Sequence, residues 1–417
     1  MTSALPNSAE VVVVGAGPAG SAAAAWLARA GVEVLLTDAA VFPRDKTCGD
    51  GLTPRAVAEL IALGLEDWLR ARPVNQGLRA HGFGQVLELS WPGGSLPAWG
   101  SAVPRTELDD HLRTTAIKAG AHAVDGVRAI GVQHDGAGVS RVVFRDGRAP
   151  DSDVVEVGCR WLVVADGVRS PLGKVLGRTW HRDTVYGVAG RCYVTSARAD
   201  DRWISSHLEL RDPDGAALPG YGWVFPLGND TVNLGAGMLA TAKRPATVAI
   251  KPLMRHYAAA CREEFGLGEE LRAQASALLP MGGAVSGVAG ANWALIGDAA
   301  ACVNPLNGEG IDYGLETGRL VAGLIADHAD LETVWPATLR EHYGEAFSVA
   351  RRLAGVATMP RLVSSLGPAG MRSNRLMTLA LRWMGNLVDA EDRDRTARLW
   401  RWAGRRSLAL DHRPPFT

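Results

Sequence analysis

Residues 11–20 read Val11-Val12-Val13-Val14-Gly15-Ala16-Gly17-Pro18-Ala19-Gly20, and an alanine-rich stretch follows over residues 21–30. Four consecutive β-branched apolar residues predict a buried strand, and the alanines predict a helix, so the three glycines fall where a strand turns into a helix. Gly15 permits the tight turn, Gly17 lets backbone N–H groups come up to a pyrophosphate, and Gly20 lets helix and strand pack closely. The N-terminus of that helix faces the anion with unpaired donors and the positive end of its dipole; Pro18 and Ala19 stand inside the same fingerprint and are assigned to the cofactor with it. A second strand, residues 32–36, leads to Asp38, about 20 residues beyond the glycines, where an acid takes ribose hydroxyls. An ordinary glycine turn has no reason to carry strand, helix and acid at these spacings.

Two further signatures lie downstream in the order that an FAD enzyme needs: Ala165-Asp166-Gly167 and Gly297-Asp298-Ala299-Ala300. Asp298 is expected to accept from a ribityl hydroxyl. Gly308 and Gly310, with a helix starting near Ile311, are expected to present backbone N–H groups to the flavin pyrimidine edge, where a helix dipole favours a reduced, anionic ring. The bland reading of the same segment is a glycine-rich turn capping a helix. Asp166 reads equally as a residue near the cofactor or as the end of a strand.

Organisation follows from the periodicities. Residues 57–69 read as a helix; residues 82–91 alternate apolar and polar as strands of another sheet; residues 105–118 read as a helix with Leu108 and Leu112 on one face; residues 139–144 and 154–165 read as strands. From about residue 186 to 279 the pattern is strand-rich, with candidate strands at 187–195, 207–210, 221–225 and 231–235. Residues 310–324 predict a long helix, and the remainder is helical in pattern. The expected architecture is α/β: a discontinuous FAD-binding, Rossmann-like domain over residues 1–76, 101–180 and 290–330, a substrate-binding β-sheet domain over 77–100 and 181–289, and a C-terminal helical region over 331–417.

A chain of 417 residues, 47% of them hydrophobic, buries a large core, and 44 basic against 44 acidic side chains exclude the basic field of a nucleic-acid-binding protein. The five cysteines are scattered without CxxC or Cys/His spacing, so neither a disulfide scaffold nor a zinc site is indicated, and no metal is expected. The first ten residues lack the charged and apolar regions of a signal peptide. No window reaches about 18 uninterrupted apolar residues, so any membrane contact is expected to be peripheral.

The stretches Pro43-Arg44-Asp45-Lys46-Thr47-Cys48-Gly49-Asp50-Gly51, Tyr221-Gly222-Trp223-Val224-Phe225-Pro226 and Cys302-Val303-Asn304-Pro305-Leu306-Asn307-Gly308-Glu309-Gly310-Ile311, together with the three nucleotide signatures, carry a resemblance along nearly the whole chain. The chain resembles the geranylgeranyl reductase branch of the flavoproteins that share the para-hydroxybenzoate hydroxylase fold, and within it the actinobacterial menaquinone-reducing members. The resemblance implies FAD as cofactor and menaquinone or a related polyprenyl lipid as substrate, one double bond of the tail being saturated at the cytoplasmic side of the membrane. It implies that Arg44, Gly49, Asp50, Arg105 and Pro305 join the cofactor site, and that Cys48 lies close to flavin and substrate.

Several residues carry two readings. Arg105 is a solvated surface arginine without the resemblance and a cofactor contact with it. Cys48 is either a buried small hydrophobe or a reactive thiol with Arg44 and Lys46 as its electropositive neighbours, and Cys302 is a candidate companion. Asp50, Glu309, Asp312 and Tyr313 are candidate proton donors. Tyr221, Trp223 and Phe225 alternate along a strand and share one face, which suits an isoprenoid as a substrate-binding wall and suits ordinary sheet core equally well. Between Arg351 and Arg406, 12 arginines stand against four acids; Leu376, Leu379, Ala380, Trp383, Met384 and Leu387 form a stripe that faces either a membrane, with Arg372, Arg375 and Arg382 at headgroups, or the protein's own core. No second glycine fingerprint follows the first, so the electron donor stays open. An FAD monooxygenase or halogenase is the second reading, although the Trp-x-Trp-x-Ile-Pro motif of flavin halogenases is replaced here by Tyr221 to Pro226. The third is a non-catalytic isoprenoid escort, against which the intact cofactor signatures stand.

Overall fold

The computed structural model describes residues 5–136, 138–149 and 151–417, the side chains of residues 360–364 and 366 excepted. The chain opens with β1 (Ser8–Val14), α1 (Pro18–Arg29) and β2 (Val34–Asp38), then α2 (Pro54–Ala62) and a hairpin of β3 (Gly77–Gly82) and β4 (Gln85–Ser90). It returns through α3 (Arg105–Ala119), β5 (His122–Asp125), β6 (Val127–Asp135), β7 (Gly138–Asp146) and β8 (Val155–Val164). Next come β9 (Tyr186–Thr195), β10 (Trp203–His207), β11 (Gly220–Pro226), β12 (Thr231–Ala240), α4 (Ile250–Phe265) and β13 (Arg272–Pro280). The last stretch holds β14 (Ala289–Gly290), β15 (Trp293–Leu295), α5 (Ile311–Ala326), α6 (Leu331–Leu339), α7 (Glu345–Ala357), α8 (Pro360–Met371), α9 (Asn374–Met384) and α10 (Arg395–Leu408).

The first sheet runs β14-β15-β8-β1-β2-β5, and from β15 to β5 every pair is parallel; β7 and β6 extend β8 as an antiparallel flap. Burial on both faces explains why β1 is a continuous apolar run rather than an alternating one. Helix α1 packs closely on α5 because small residues meet there: a Cβ at Gly318 would lie 2.6 Å from the Ala19 carbonyl oxygen. Gly15 has φ +103°, and a side chain there would strike the Ala165 carbonyl oxygen at 2.3 Å, so the turn admits only glycine.

The second sheet runs β13-β9-β12-β11-β10-β3-β4, antiparallel except where β10 meets β3. Its alternation sorts two faces. Cys192, Val194, Val224, Leu234 and Ala236 pack under α4 against Met254, Tyr257 and Phe265. Tyr221, Trp223 and Phe225 point the opposite way, toward the first domain.

Local differences from the sequence reading have physical causes. The single helix expected over 57–69 is two, α2 and a short helix Glu66–Arg70, because Gly64 at φ +75° breaks the chain between them. The strand expected at 207–210 lies earlier, at Trp203–His207, because its register is set by the parallel pairing with β3 rather than by its own apolar pattern. Among the described residues, no helix is long and apolar enough to cross a membrane.

Candidate active site

A cavity of about 800 Å³ lies between the two sheets. One end is walled by Gly17, Pro18 and Ala19 at the start of α1, by residues 46–51, by Arg105 at the start of α3, by Gly297 and Asp298, and by residues 308–311. The other end is apolar, formed by Phe83, Leu89, Leu208, Met371, Met377 and Leu381.

The cofactor end is assembled by charge pairing across long sequence separations. Arg105, buried, donates Nε and Nη2 to Asp109 at 2.7 Å each, and Arg44 Nη1 donates to the same carboxylate at 2.9 Å. Both guanidinium groups reach the fingerprint: a Cβ at Gly17 would lie 3.3 Å from Arg44 Nη2 and 4.0 Å from Arg105 Nη2. Asp38 accepts from the Ala16 and Ala40 amides at 2.8 Å each, which fixes it behind the turn with lone pairs still available. Lys46 Nζ donates to Asp298 at 2.8 Å.

Of the residues singled out in the sequence, Gly17, Pro18, Ala19, Cys48, Gly49, Asp50, Arg105, Gly297, Asp298, Gly308, Gly310, Ile311, Tyr221, Trp223 and Phe225 line this one cavity. Gly15, Gly20, Asp38 and Arg44 adjoin the fingerprint without lining the cavity. A Cβ at Gly20 would fall 1.8 Å from the Gly15 carbonyl oxygen, so its role is backbone contact within the fingerprint. Pro305 packs behind Gly282. Asp166 lies outside the wall and caps the short helix Pro171–Val175, accepting from the Leu172 amide at 2.8 Å.

Cys48 sits among other neighbours than the sequence suggested. Arg44 and Lys46 are spent on Asp109 and Asp298, and the cation beside the thiol is Arg105; burial pushes the thiol up, and Arg105 only partly offsets that. The group is therefore a neutral thiol rather than a thiolate. Cys302 is fully buried in the core of the first domain, a cluster against which Cys48 also packs.

The loop that carries Cys48 is pinned from the second sheet. Arg191 of β9 bonds Asp45 and the Lys46 carbonyl, Tyr193 Oη donates to Asp50 Oδ2 at 2.7 Å, and Asn233 Nδ2 donates to Asp50 Oδ2 and to the Cys48 carbonyl at 2.8 Å each. Asp50 is fully buried at φ +62°, and burial pushes its carboxyl up to about 6 against the pull of Asn233 and Tyr193. Trp223 Nε1 donates to Asn233 Oδ1 at 2.9 Å, and its indole lies over Gly235, where a Cβ would come within 2.2 Å of the ring. Phe225 covers Gly49 and Gly51. The aromatic face thus serves both readings, as packing against the loop and as cavity wall. Asn233 was missed in the sequence; a lone amide inside the apolar strand 231–236 was the available signal.

The C-terminal stripe divides. Met377, Ala380, Leu381 and Met384 of α9 close the apolar end of the cavity, Leu387 is buried, and Trp383 stacks on Trp400 with ring centroids 5.5 Å apart. Leu376 stays exposed. Arg382 is taken by Asp394 at 2.7 Å and Asp392 at 3.1 Å, which removes it from the headgroup role expected with Arg372 and Arg375. Away from the cavity, on the far face of the second sheet, the register partners His81 and His207 stack 4.3 Å apart, with Glu264 Oε1 3.3 Å from His81 Nδ1. Burial lowers both imidazoles, His207 to about 3, so the pair is neutral.

A model of the FAD binding domain matches residues 8–329. Over 412 residues the chain is 62% identical to a menaquinone reductase of Mycolicibacterium smegmatis, covering 98% of this chain and 99% of that one. The chain belongs to the menaquinone reductase family. A digeranylgeranylglycerophospholipid reductase of Methanopyrus kandleri is 31% identical, covering 83% of this chain and 89% of that protein. Among solved structures, a geranylgeranyl bacteriochlorophyll reductase-like protein of Thermoplasma acidophilum superposes with a TM-score of 0.76 at 19% identity, covering 94% of this chain and 98% of that one, which is a likeness of fold.

The cofactor of this family of flavoproteins is FAD, and the residues present fit it. The fingerprint turn leaves space at Gly17 under two guanidinium groups, the N-terminus of α5 is glycine-flanked, and Asp298 faces Gly310 with its Oδ1 2.9 Å from where a Cβ would stand. A dinucleotide laid from α1 to α5 has donors at both ends.

Proposed function

We propose that this chain is an FAD-dependent reductase that saturates one isoprenyl C=C bond in the side chain of menaquinone. The observation that carries the reading is the continuity of the cavity: the wall with the cofactor signatures runs without a partition into a wall of Phe83, Leu89, Leu208, Met377 and Leu381 that has no polar partner to offer. An isoprenoid matches that surface. The relatives named as menaquinone reductase and as a phospholipid reductase support the same chemistry, and the latter makes another polyprenyl lipid the alternative substrate.

Bound and reduced, FAD supplies a hydride from its ring nitrogen N5. The chain orients and encloses. Trp223 and Phe225, fixed by Asn233 and by the loop at 49–51, give a rigid surface against which an alkene lies, and the apolar end excludes water from it. Cys48, as a neutral thiol, lines the cavity without adding charge to it.

A location at the cytoplasmic face of the membrane, bound peripherally, belongs to the same proposal. Leu376 of α9 and Leu399 and Trp402 of α10 are exposed, and the exposed Arg372, Arg375, Arg395, Arg398, Arg405 and Arg406 lie on or next to the same two helices, a composition suited to an anionic lipid surface.

Expression in a host that makes fully unsaturated menaquinone, followed by mass spectrometry of its quinones, tests the substrate. A quinone heavier by one H2 is expected. Saturation confined to other prenyl lipids moves the assignment to the alternative, and a quinone heavier by one oxygen atom overturns reduction in favour of oxygenation.

A further inference from the structure

Alkene saturation needs a proton as well as a hydride, and the cavity wall holds an unusual store of them. α5 carries Asp312, Glu316 and Arg319 on one side, and Glu309 extends the row at its N-terminal end. α2 lays Arg55 and Glu59 against it: Arg55 Nη1 is 3.3 Å from Glu316 Oε2, and Arg319 pairs with Glu59 at 2.7 Å. An otherwise apolar helix interface thus contains a row of ionisable groups. It runs from Arg319, whose side chain is 38% exposed, to the cavity, which Glu309 and Asp312 line.

The hydrogen bonding within the row is uneven. Asp312 is 1% exposed, yet neither carboxyl oxygen has a hydrogen-bond partner. Glu309 Oε2 accepts from Asn307 Nδ2 at 2.8 Å, whereas its buried Oε1 has none. Asn307 is fixed in turn, accepting from the Glu309 amide at 3.0 Å and, on its carbonyl, from Tyr221 Oη. An N–H donor on Oε2 leaves Oε1 as the atom that carries the acid proton. A buried carboxylate is costly to ionise, so burial pushes both groups up; for Asp312 the neighbouring Glu309 adds to the effect and Arg55 and the Tyr313 amide oppose it, and for Glu309 the Thr53 hydroxyl, Asn307 and Arg55 oppose it. The pair titrates as a unit. Lys46, Cys48, Asp50, Arg105, Tyr221 and Asp298 are the other titratable groups on this wall: Cys48 and Tyr221 are held neutral by burial, Lys46 and Arg105 are paired with Asp298 and Asp109, and Asp50 is tied to Tyr193 and Asn233, while Arg55 and Tyr313 face Asp312 from behind the wall.

We propose that Glu309 is the acid that protonates the substrate alkene, and that Asp312, the second unpartnered carboxyl of the row, is a positioning residue that sets the pH range over which Glu309 holds its proton. The proposal rests on the reductase reading above. In the step, the π bond breaks, the hydride and its electron pair make one C–H bond, and the Glu309 carboxyl proton, brought to the cavity by rotation of its side chain, makes the second. The lipid gains the two electrons that reduced flavin would supply, and Glu309 is left a carboxylate, which regains a proton from solvent before the next turnover.

Two measurements on the full-length chain test this. Infrared spectroscopy of the protein without cofactor at neutral pH is expected to show a protonated-carboxyl C=O band that weakens in Glu309→Gln and again in Asp312→Asn. Absence of that band overturns the proposal. In the FAD-loaded enzyme, reduced anaerobically with dithionite, reoxidation of the flavin by a prenylated quinone in detergent, measured per bound flavin, is expected to slow about a hundredfold in Glu309→Gln, the scale of general-acid catalysis. Asp312→Asn is expected to move the pH profile of that reoxidation rather than abolish it. Formate is expected to restore part of the rate in Glu309→Ala, which separates a missing proton from a misfolded wall. A Glu309→Gln enzyme as fast as the wild type, or a slow Glu309→Ala enzyme indifferent to formate, overturns the donor role. A wild-type enzyme that leaves every prenyl lipid unsaturated overturns the functional reading and the donor role together, while the infrared band still reports the paired carboxyls.

Discussion

At the cofactor end, the cavity wall is backbone and paired charge, drawn from Gly17, Arg105, Asp298 and the start of α5; at the far end it is rings and methyl groups from the β3–β4 hairpin, α8 and α9. The first wall tolerates almost no change in side-chain size, because its distances are set by carbonyl oxygens and amides. The second is filled by Met377, Met384 and Leu381, flexible or unbranched in the main, which adapt to a chain-like ligand. The pairing suits one partner of fixed shape and one that is threaded in.

Three substitutions probe that division. Gly20→Val has the largest expected effect, because even its Cβ collides with the Gly15 carbonyl; the purified protein is expected to lack the flavin absorbance altogether, and a yellow variant breaks the account of the fingerprint. Met377→Arg is expected to leave FAD content and dithionite reduction at wild-type levels while lipid turnover falls at least tenfold, since an unpaired guanidinium is costly in an apolar wall. Loss of flavin in that variant means that the two ends are not separable.

Asp50→Asn, in the loop shared by both ends, has the smallest effect and shows it as a pH dependence. The folded carboxyl titrates near 6 against an ordinary 3.8, so the folded protein binds more protons between those values. Its contribution is full below about 3.8 and is lost as pH rises through about 6, on the order of 1.4 kcal/mol per pH unit at most. Denaturation from pH 4 to 7 is expected to show the wild type losing stability relative to the variant as pH rises. Parallel curves mean that Asp50 is ionised throughout.

The fingerprint was legible because its geometry is local: a turn that only glycine fits, followed by a helix start, leaves its mark in ten consecutive residues. Asp38 followed from a fixed spacing. The parts that were not legible are those made by distant partners. Nothing near Arg105 in sequence says that Arg44 shares Asp109 with it, and nothing near Cys48 says that Lys46 is taken by Asp298, 252 residues away. The far wall escaped for a related reason, since Phe83 in the β3–β4 turn, Leu208 just past β10 and Met377 on α9 lie on three distant segments whose own patterns announce only burial. Even the α9 stripe was read with its phase slightly off: Met377 and Leu381 face the cavity, and Leu376 faces out.

The cavity's size bears on what such an enzyme measures. About 800 Å³ is room of the kind that pockets give a drug-sized ligand, and here a flavin ring takes part of it. On the proposed function, most of a polyprenyl tail therefore remains outside while one unit lies against Trp223. The site acts as a gauge rather than a container. On that proposal the position reduced is counted from the end that enters rather than from the length that trails behind, and quinones of different tail lengths are expected to carry the same single saturated unit.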